Sequence, residues 1–172
     1  RSQALVDMAR RGKFLVFDFG GHSAVVHLRM SGWFSLEPGT HTRMVLRFAG
    51  QDVFFDDTRR FGTLHLLPSA QRESHPPLAG LGLEPLGPEL SEARFAALCD
   101  TPREIKRLLL DQSKLVGVGN IYACEALHRA KVHPRSPADR LSRPKRAALR
   151  AAVRDILQRA IALHGSTLGD AV

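Results

Sequence analysis

The chain has 172 residues, 44% hydrophobic and 24% charged, a balance typical of a globular protein with one large core or two small ones. Its formal charge of +8 favours phosphate-bearing partners, and no apolar run approaches the roughly 18 residues of a membrane-spanning helix. Cys99 and Cys124 are the only cysteines, with no Cys-x-x-Cys pair, and His22, His27, His41 and His65 are scattered, so neither a disulfide framework nor a metal site is indicated.

Residues 13–67 read as strands. "KFLVFDF" and "SAVVHLRM" are rich in β-branched and aromatic residues, and Gly20-Gly21-His22 between them predicts a hairpin turn. "RMVLRFAGQDVFFDD" repeats the design around a turn at residues 49–52, and "TLHLLP" is a short strand stopped by Pro68. Hairpin-linked strands predict an antiparallel sheet or sandwich. Residues 68–90 hold five prolines and read as an extended linker.

Everything after residue 90 reads as helical. Ser91 predicts an N-cap for "EARFAALCD", and Thr101-Pro102 opens "REIKRLLLDQ". Asn120 opens "IYACEALHRAKV". Ser142 or Arg143-Pro144 opens a longer helix that Gly165 stops, with Ala148, Ala152, Ile156, Ala160 and Leu163 on its apolar face. Arg146, Arg150 and Arg154 on the other face read as a solvated surface. The expected architecture is therefore α+β: an incomplete N-terminal antiparallel β-sandwich module (1–67), a linker (68–90), and a C-terminal helical module (91–172).

Four short stretches could carry chemistry. Gly117 and Gly119 let a backbone approach a ligand closely, and Asn120 stands at a helix mouth, where unpaired N–H groups attract anions. A bare Gly-x-Gly-Asn is more often a helix cap than a phosphate site. In "DDTRRFG", Arg59 and Arg60 suit phosphate or base-edge contacts and Phe61 suits a wedge between bases. The bland alternative folds Phe61 into the sheet and pairs the arginines with Asp56 and Asp57. Met30, before Ser31-Gly32, is either a core filler or a probe; Lys13, at a strand start, is either a surface lysine or a cation aimed at a phosphate.

Together, "RRGKFLVFD", "HLRMSGWF", "DDTRRFGTLHLL", "LGLEPLGPEL", "LLLDQSKLVGVGNIYACEALHRAKVHP" and "HGSTLGD" stand in one order along the chain. In them the sequence resembles the formamidopyrimidine-DNA glycosylase and endonuclease VIII family of base-excision repair enzymes, on the formamidopyrimidine side. The resemblance implies damaged double-stranded DNA as partner, a helix-two-turn-helix motif in the helical module, and a base flipped out of the duplex. It implies excision of oxidised purines, 8-oxoguanine and formamidopyrimidines, by a bifunctional glycosylase/AP lyase. Met30, Arg59 and Phe61 would fill the vacated space, with Arg60 beside them on the DNA. Lys13 would hold a phosphate and assist β-elimination. His41 and Lys106 would touch the backbone, while Lys114, Gly119 and Asn120 would grip phosphate. Ser166 and Thr167 would begin the loop covering the flipped base.

Two family parts are not in the sequence. The family's nucleophile is an N-terminal proline followed by a Glu, whereas this sequence starts "RSQALVD". Its zinc finger, which holds one structural zinc, has no counterpart before Val172, so the chain is expected to bind no cofactor. Taken as written, the sequence is expected to be a fragment of an enzyme, inactive by the family route; the alternative is a non-catalytic damaged-DNA-binding protein. A third reading, an RNA-binding protein sharing only the helical motif, leaves Met30, Arg59 and Phe61 unexplained. A monomer is expected, in bacterial cytoplasm on the nucleoid and away from membranes.

Overall fold

A computed structural model describes residues 3–163 and Gly165, so the positions expected to cover a flipped base, Ser166 and Thr167, lie outside the described residues. The chain divides into two compact units, Arg1–Ala79 and Gly80–Val172.

The first unit is built from seven antiparallel strands in two sheets. Strands β1 (Asp7–Arg11), β2 (Phe14–Asp18), β3 (His22–His27) and β7 (Thr63–Pro68) form one sheet in the order β1-β2-β3-β7. Strands β4 (Gly32–Ser35), β5 (Thr42–Arg47) and β6 (Asp52–Asp57) form the other, in the order β4-β6-β5. Alternation along β2 and β3 turns Phe17, Ala24 and Val26 inward. Phe34 joins the two sheets, its ring centroid 5.7 Å from Phe17 and 5.2 Å from Phe55. The expected β-sandwich is thus present, with two strands that the pattern did not signal. β1 (Asp-Met-Ala-Arg-Arg) carries no apolar alternation and is an edge strand held by backbone pairing to β2. β4 is four residues long and turns only Phe34 into the core.

Residues 68–90 depart from the extended linker. Their first half folds back onto the β unit as a 3-10 turn (Ser69–Gln71) and a one-turn helix α1 (Pro76–Ala79). Ser69 shares a hydroxyl hydrogen bond with Ser23 (2.8 Å), Arg72 pairs with Asp18 (3.1 Å), and the His75 ring lies 4.9 Å from that of His65. The second half joins the helical unit, where Leu83 bridges Leu115 and Leu90 is fully buried. The prolines punctuate packed turns here.

The helical unit contains α2 (Glu92–Leu98), α3 (Ile105–Leu110), α4 (Asn120–Arg129) and α5 (Arg143–Ala162). Its core gathers Phe95, Ile105, Leu109, Leu127, Leu149 and Val153 from all four. Ser91 caps α2 as expected, its hydroxyl accepting the Arg94 N–H at 3.2 Å. α3 starts three residues later than Thr101-Pro102 suggests. Residues 103–106 instead pair with 134–138: Ala138 N–H donates to the Arg103 carbonyl, and the N–H groups of Ile105 and Lys106 donate to Ser136 and Pro134. Gly165 ends α5 at φ +113°, donating back to Ala160 at 2.8 Å.

The arginine face of α5 is the clearest correction. Arg146, Arg150 and Arg154 are half-buried and turned onto neighbouring carbonyls. Arg146 donates to the carbonyls of Leu141, Ala96 and Asp139 and pairs with Asp100. Arg150 donates to the Leu90 carbonyl at 2.7 Å, and Arg154 to Pro85 and Gly87. Spaced four apart, they form a ladder that clamps the proline-rich segment and α2 onto α5. The apolar stripe is displaced accordingly: Leu149, Ala152, Val153 and Ile156 are buried, while Ala148 and Leu163 are exposed.

Candidate nucleic-acid interface

In the β unit, Met30, Arg59 and Phe61 come together although 29 residues separate the first two. Arg59 donates to the Met30 sulfur at 3.2 Å, and its guanidinium carbon lies 4.8 Å from the Phe61 ring centroid. Met30 is 73% exposed and Phe61 51%, so neither is a core filler. Each follows a residue in left-handed backbone, Arg29 and Arg60, both at φ +58°. Non-glycine residues rarely adopt that conformation, which costs about 1 kcal/mol or more and persists only where surrounding structure enforces it.

Asp57 does the enforcing on one side. It is 1% exposed and accepts the Ser31 hydroxyl (2.5 Å), the Gly62 N–H (2.7 Å) and the Arg59 N–H (3.2 Å). These bonds, the Ser31 hydroxyl foremost, hold its carboxyl below the usual carboxylate range. One buried carboxylate therefore ties the Met30 loop to the Phe61 loop. Gly62 is required beside it, because a Cβ there would lie 2.5 Å from the Phe55 ring. The alternative in which Asp56 and Asp57 pair with the arginine side chains is not what forms: Asp57 serves the loop backbone, and Asp56 accepts the Thr42 hydroxyl at 3.0 Å.

Lys13 occupies the two-residue turn between β1 and β2, where Gly12 takes φ +58°. Partial desolvation lowers its ammonium pKa. His27, which the sequence offered only as one of several scattered histidines, packs edge-on against Phe14 and lies close enough to Lys13 to feel its charge. Burial first, then Arg29 and Lys13, lower the His27 pKa, and Nδ1 accepts the Arg29 N–H at 2.9 Å. His41 is in the same unit but belongs to the other sheet, where its carbonyl accepts the Asp57 N–H.

In the helical unit, the loop between α3 and α4 is organised by its own side chains. Gln112 accepts the Gly117 N–H at 2.9 Å and donates to the carbonyls of Leu110 and Val118. Asp111 accepts from the Ser113 N–H and hydroxyl and pairs with Arg103. Of the two glycines only Gly117 needs its freedom, at φ +81°; Gly119 is extended at φ −105° and occupies the N-cap of α4. No side chain caps α4. Asn120 is exposed at its first helical position, and among the described residues its Oδ1 has one hydrogen-bond partner, the Cys124 thiol at 3.9 Å.

Two family models match the chain, the formamidopyrimidine-DNA glycosylase N-terminal domain over residues 1–64 and the formamidopyrimidine-DNA glycosylase H2TH domain over 81–171. The chain belongs to the formamidopyrimidine-DNA glycosylase family. Formamidopyrimidine-DNA glycosylase of Cytobacillus firmus is 41% identical across 97% of this chain and 64% of its own length. The crystal structure of MutM (Fpg) from Thermus thermophilus superposes with a TM-score of 0.89 at 43% identity, covering 98% of this chain and 64% of that one. Lactococcus lactis Fpg in complex with DNA containing FAPY-dG gives 0.87 at 31%, covering 96% and 65%. The chain spans about 64% of the length of the curated relatives it matches.

The remaining expected residues among those described lie in the helical unit. Lys106 lies at the start of α3 and lines a shallow cavity of about 340 Å³ with Cys124, His128 and Lys131. Lys114 is exposed in the turn ahead of Gly117, and its carbonyl accepts the Leu83 N–H. Among the described residues no group of three or more His, Cys, Asp or Glu side chains could hold a metal ion. No described helix is long and apolar enough to cross a membrane. Sequence reasoning missed the roles of Asp57, Gln112 and His27, giving Asp57 to the arginine side chains and His27 no task. The signal for the first two was positional: a carboxylate or amide five residues ahead of a glycine, within reach of its N–H.

Proposed function

We propose that this chain holds damaged double-stranded DNA for base-excision repair, as part of a glycosylase and AP lyase that removes oxidised purines. One observation carries the reading: Met30, Arg59 and Phe61 converge, and the two exposed apolar ones each follow a residue held in left-handed backbone, Arg29 and Arg60. A soluble fold gains nothing by exposing a Met and a Phe on strained loops. A wedge that enters a base stack needs both, and a guanidinium between them suits the orphaned partner base. In the same reading Lys13 and His27 hold a backbone phosphate beside the lesion, with Lys13 also assisting β-elimination. Asn120, Lys106 and Lys114 hold phosphates on the helical unit. The family's Lactococcus member bound to FAPY-dG-containing DNA supports oxidised purines as the lesion class.

The test is binding to duplexes with and without a tetrahydrofuran abasic analogue, followed by fluorescence anisotropy. Affinity for both should fall steeply with salt as counterions are released. Phe61→Ala should weaken the abasic duplex by about tenfold, the scale of one lost base–aromatic contact, and the undamaged duplex far less. Equal weakening on both duplexes, or a flat salt response, would overturn the proposal.

A further inference from the structure

Trp33, the one tryptophan of the chain, is 56% exposed although it lies within a strand. Directly paired residues of an antiparallel sheet share a face, and Trp33 stands opposite Asp56, which stands opposite Thr42. Phe34 and Phe55, the next pair along, turn into the core, so Trp33 is on the outer face. Its mount is fixed. Gly32, just before it, donates to the Leu28 carbonyl at 3.0 Å in a turn so tight that a Cβ there would lie 2.4 Å from that oxygen. Three residues of chain place Trp33 no more than about 11 Å from Met30. On the other side of β6, the Arg43 Nε donates to the Asp57 carbonyl at 3.0 Å, and its Nη2 lies 3.5 Å from His41 Nδ1. Strands spaced about 4.8 Å apart put β4 and β5 about 10 Å from each other. An exposed indole and a guanidinium–imidazole pair thus flank the end of β6 that leads into Arg59 and Phe61.

We propose that Trp33 is a further DNA-contacting residue, its ring packed on the duplex beside the wedge and Arg43 and His41 on phosphates across β6, a contact that rests on the reading of Met30 and Phe61 as that wedge. A duplex entered at Met30 advances about 3.4 Å per base step, so about three steps fall within the chain's reach of Trp33. An indole suits the place: its flat apolar face covers a sugar or base edge, and its N–H can donate to a phosphate oxygen. Asp56, the carboxylate in the same row, is 3% exposed and accepts the Thr42 hydroxyl, so it turns little charge toward a phosphate. Trp33 touches paired DNA rather than the lesion. Its contribution is therefore the same on damaged and undamaged duplexes, whereas Phe61 contributes where a base has left the stack.

Trp33 is its own reporter, because the fluorescence of the 172-residue chain comes from no other tryptophan. Quenching of that fluorescence by acrylamide should weaken once the tetrahydrofuran duplex is saturating by anisotropy, and likewise with the undamaged duplex. Trp33→Ala should weaken both duplexes by about fivefold, the low end of one base–aromatic contact, with Trp33→Phe in between. Quenching that is unchanged at saturation, or a Trp33→Ala chain that binds both duplexes as tightly as the parent, would overturn the proposal. So would shielding that grows with protein concentration in the absence of DNA, since the face would then belong to a contact between copies of the chain. A chain that binds neither duplex fails the wedge reading itself, and the Trp33 contact with it.

Discussion

In the β unit, buried carboxylates hold the loops: Asp57 gathers two backbone N–H groups and a hydroxyl from the loops that present Met30 and Phe61, and Asp56 gathers the Thr42 hydroxyl ahead of β5. In the helical unit, guanidiniums do the complementary work, with Arg146, Arg150 and Arg154 donating to carbonyls of the proline-rich segment and α2. The sign of the buried charge follows from which backbone groups each architecture leaves unpaired. Loops leaving antiparallel strands strand N–H groups. A proline-rich segment has few N–H groups, and a helix C-terminus strands carbonyls. Each unit therefore buries the charge that its own topology calls for.

The largest expected effect comes from removing one of those cations. Arg146→Ala would leave the Leu141, Ala96 and Asp139 carbonyls and Asp100 without their donor. With charged hydrogen bonds worth about 1.5–3 kcal/mol each and water replacing some, a loss of about 3 kcal/mol is expected in urea unfolding followed by far-ultraviolet circular dichroism. A loss under about 1 kcal/mol would mean that water satisfies those carbonyls and that the clamp is incidental.

Acid should separate the two units next. The Asp57 carboxyl is depressed in the folded state, so its contribution is fully present above the unfolded carboxylate pKa. It is lost as pH falls through the folded value, in a window below about pH 4. Guanidiniums do not titrate there. Asp111 is also held low, chiefly by the Ser113 hydroxyl, but its loop keeps the neutral Gln112 bonds to Gly117, Leu110 and Val118. The single tryptophan, Trp33, lies on β4 opposite Asp56 and reports the β unit alone. Its fluorescence should change at a higher pH than the helical signal does. Coincident transitions would show that the two sets of charges do not act independently.

What the sequence made legible follows the same division. Apolar periodicity revealed β2, β3, β5, β6 and β7 and all four longer helices, because each buries one face against a core. β1 and β4 were hidden because they are held by backbone pairing or by a single ring, which leaves no period to read. The candidate site was legible as residue types, Met30, Arg59, Phe61 and Asn120, through resemblance more than through spacing. What stayed hidden was the support beneath them. The arginine ladder reads as a solvated face, since one helix's charge pattern does not tell which carbonyls another segment brings to it. Asp57 reads as a partner for Arg59 or Arg60, since nothing local says that its oxygens reach back to Ser31.

A smaller effect tests the strain in the β unit. Arg60→Gly relieves a left-handed side chain at φ +58° and should stabilise the unit by up to about 1 kcal/mol in thermal melts. Binding to the abasic duplex should nonetheless fall, because a looser loop no longer fixes Phe61. A variant that is both more stable and equally tight in binding would show that the strain serves no recognition.

The smallest stability effect is expected at Asn120, where a helix cap and a phosphate grip make opposite predictions. A capping asparagine gives its side-chain oxygen to an N–H in the first turn, and its replacement by alanine costs about 1 kcal/mol. Here Gly119 holds the cap position, the Asn120 side chain makes no capping bond, and among the described residues its oxygen accepts only from the Cys124 thiol. Asn120→Ala should therefore change stability by less than about 0.5 kcal/mol, the range of surface substitutions. Affinity for the abasic duplex should drop by about tenfold as one hydrogen bond to a charged phosphate is lost. The reverse pattern, a lower melting temperature with unchanged binding, would make Asn120 part of the helix and leave the main-chain N–H groups of the loop and helix start to hold the phosphate alone.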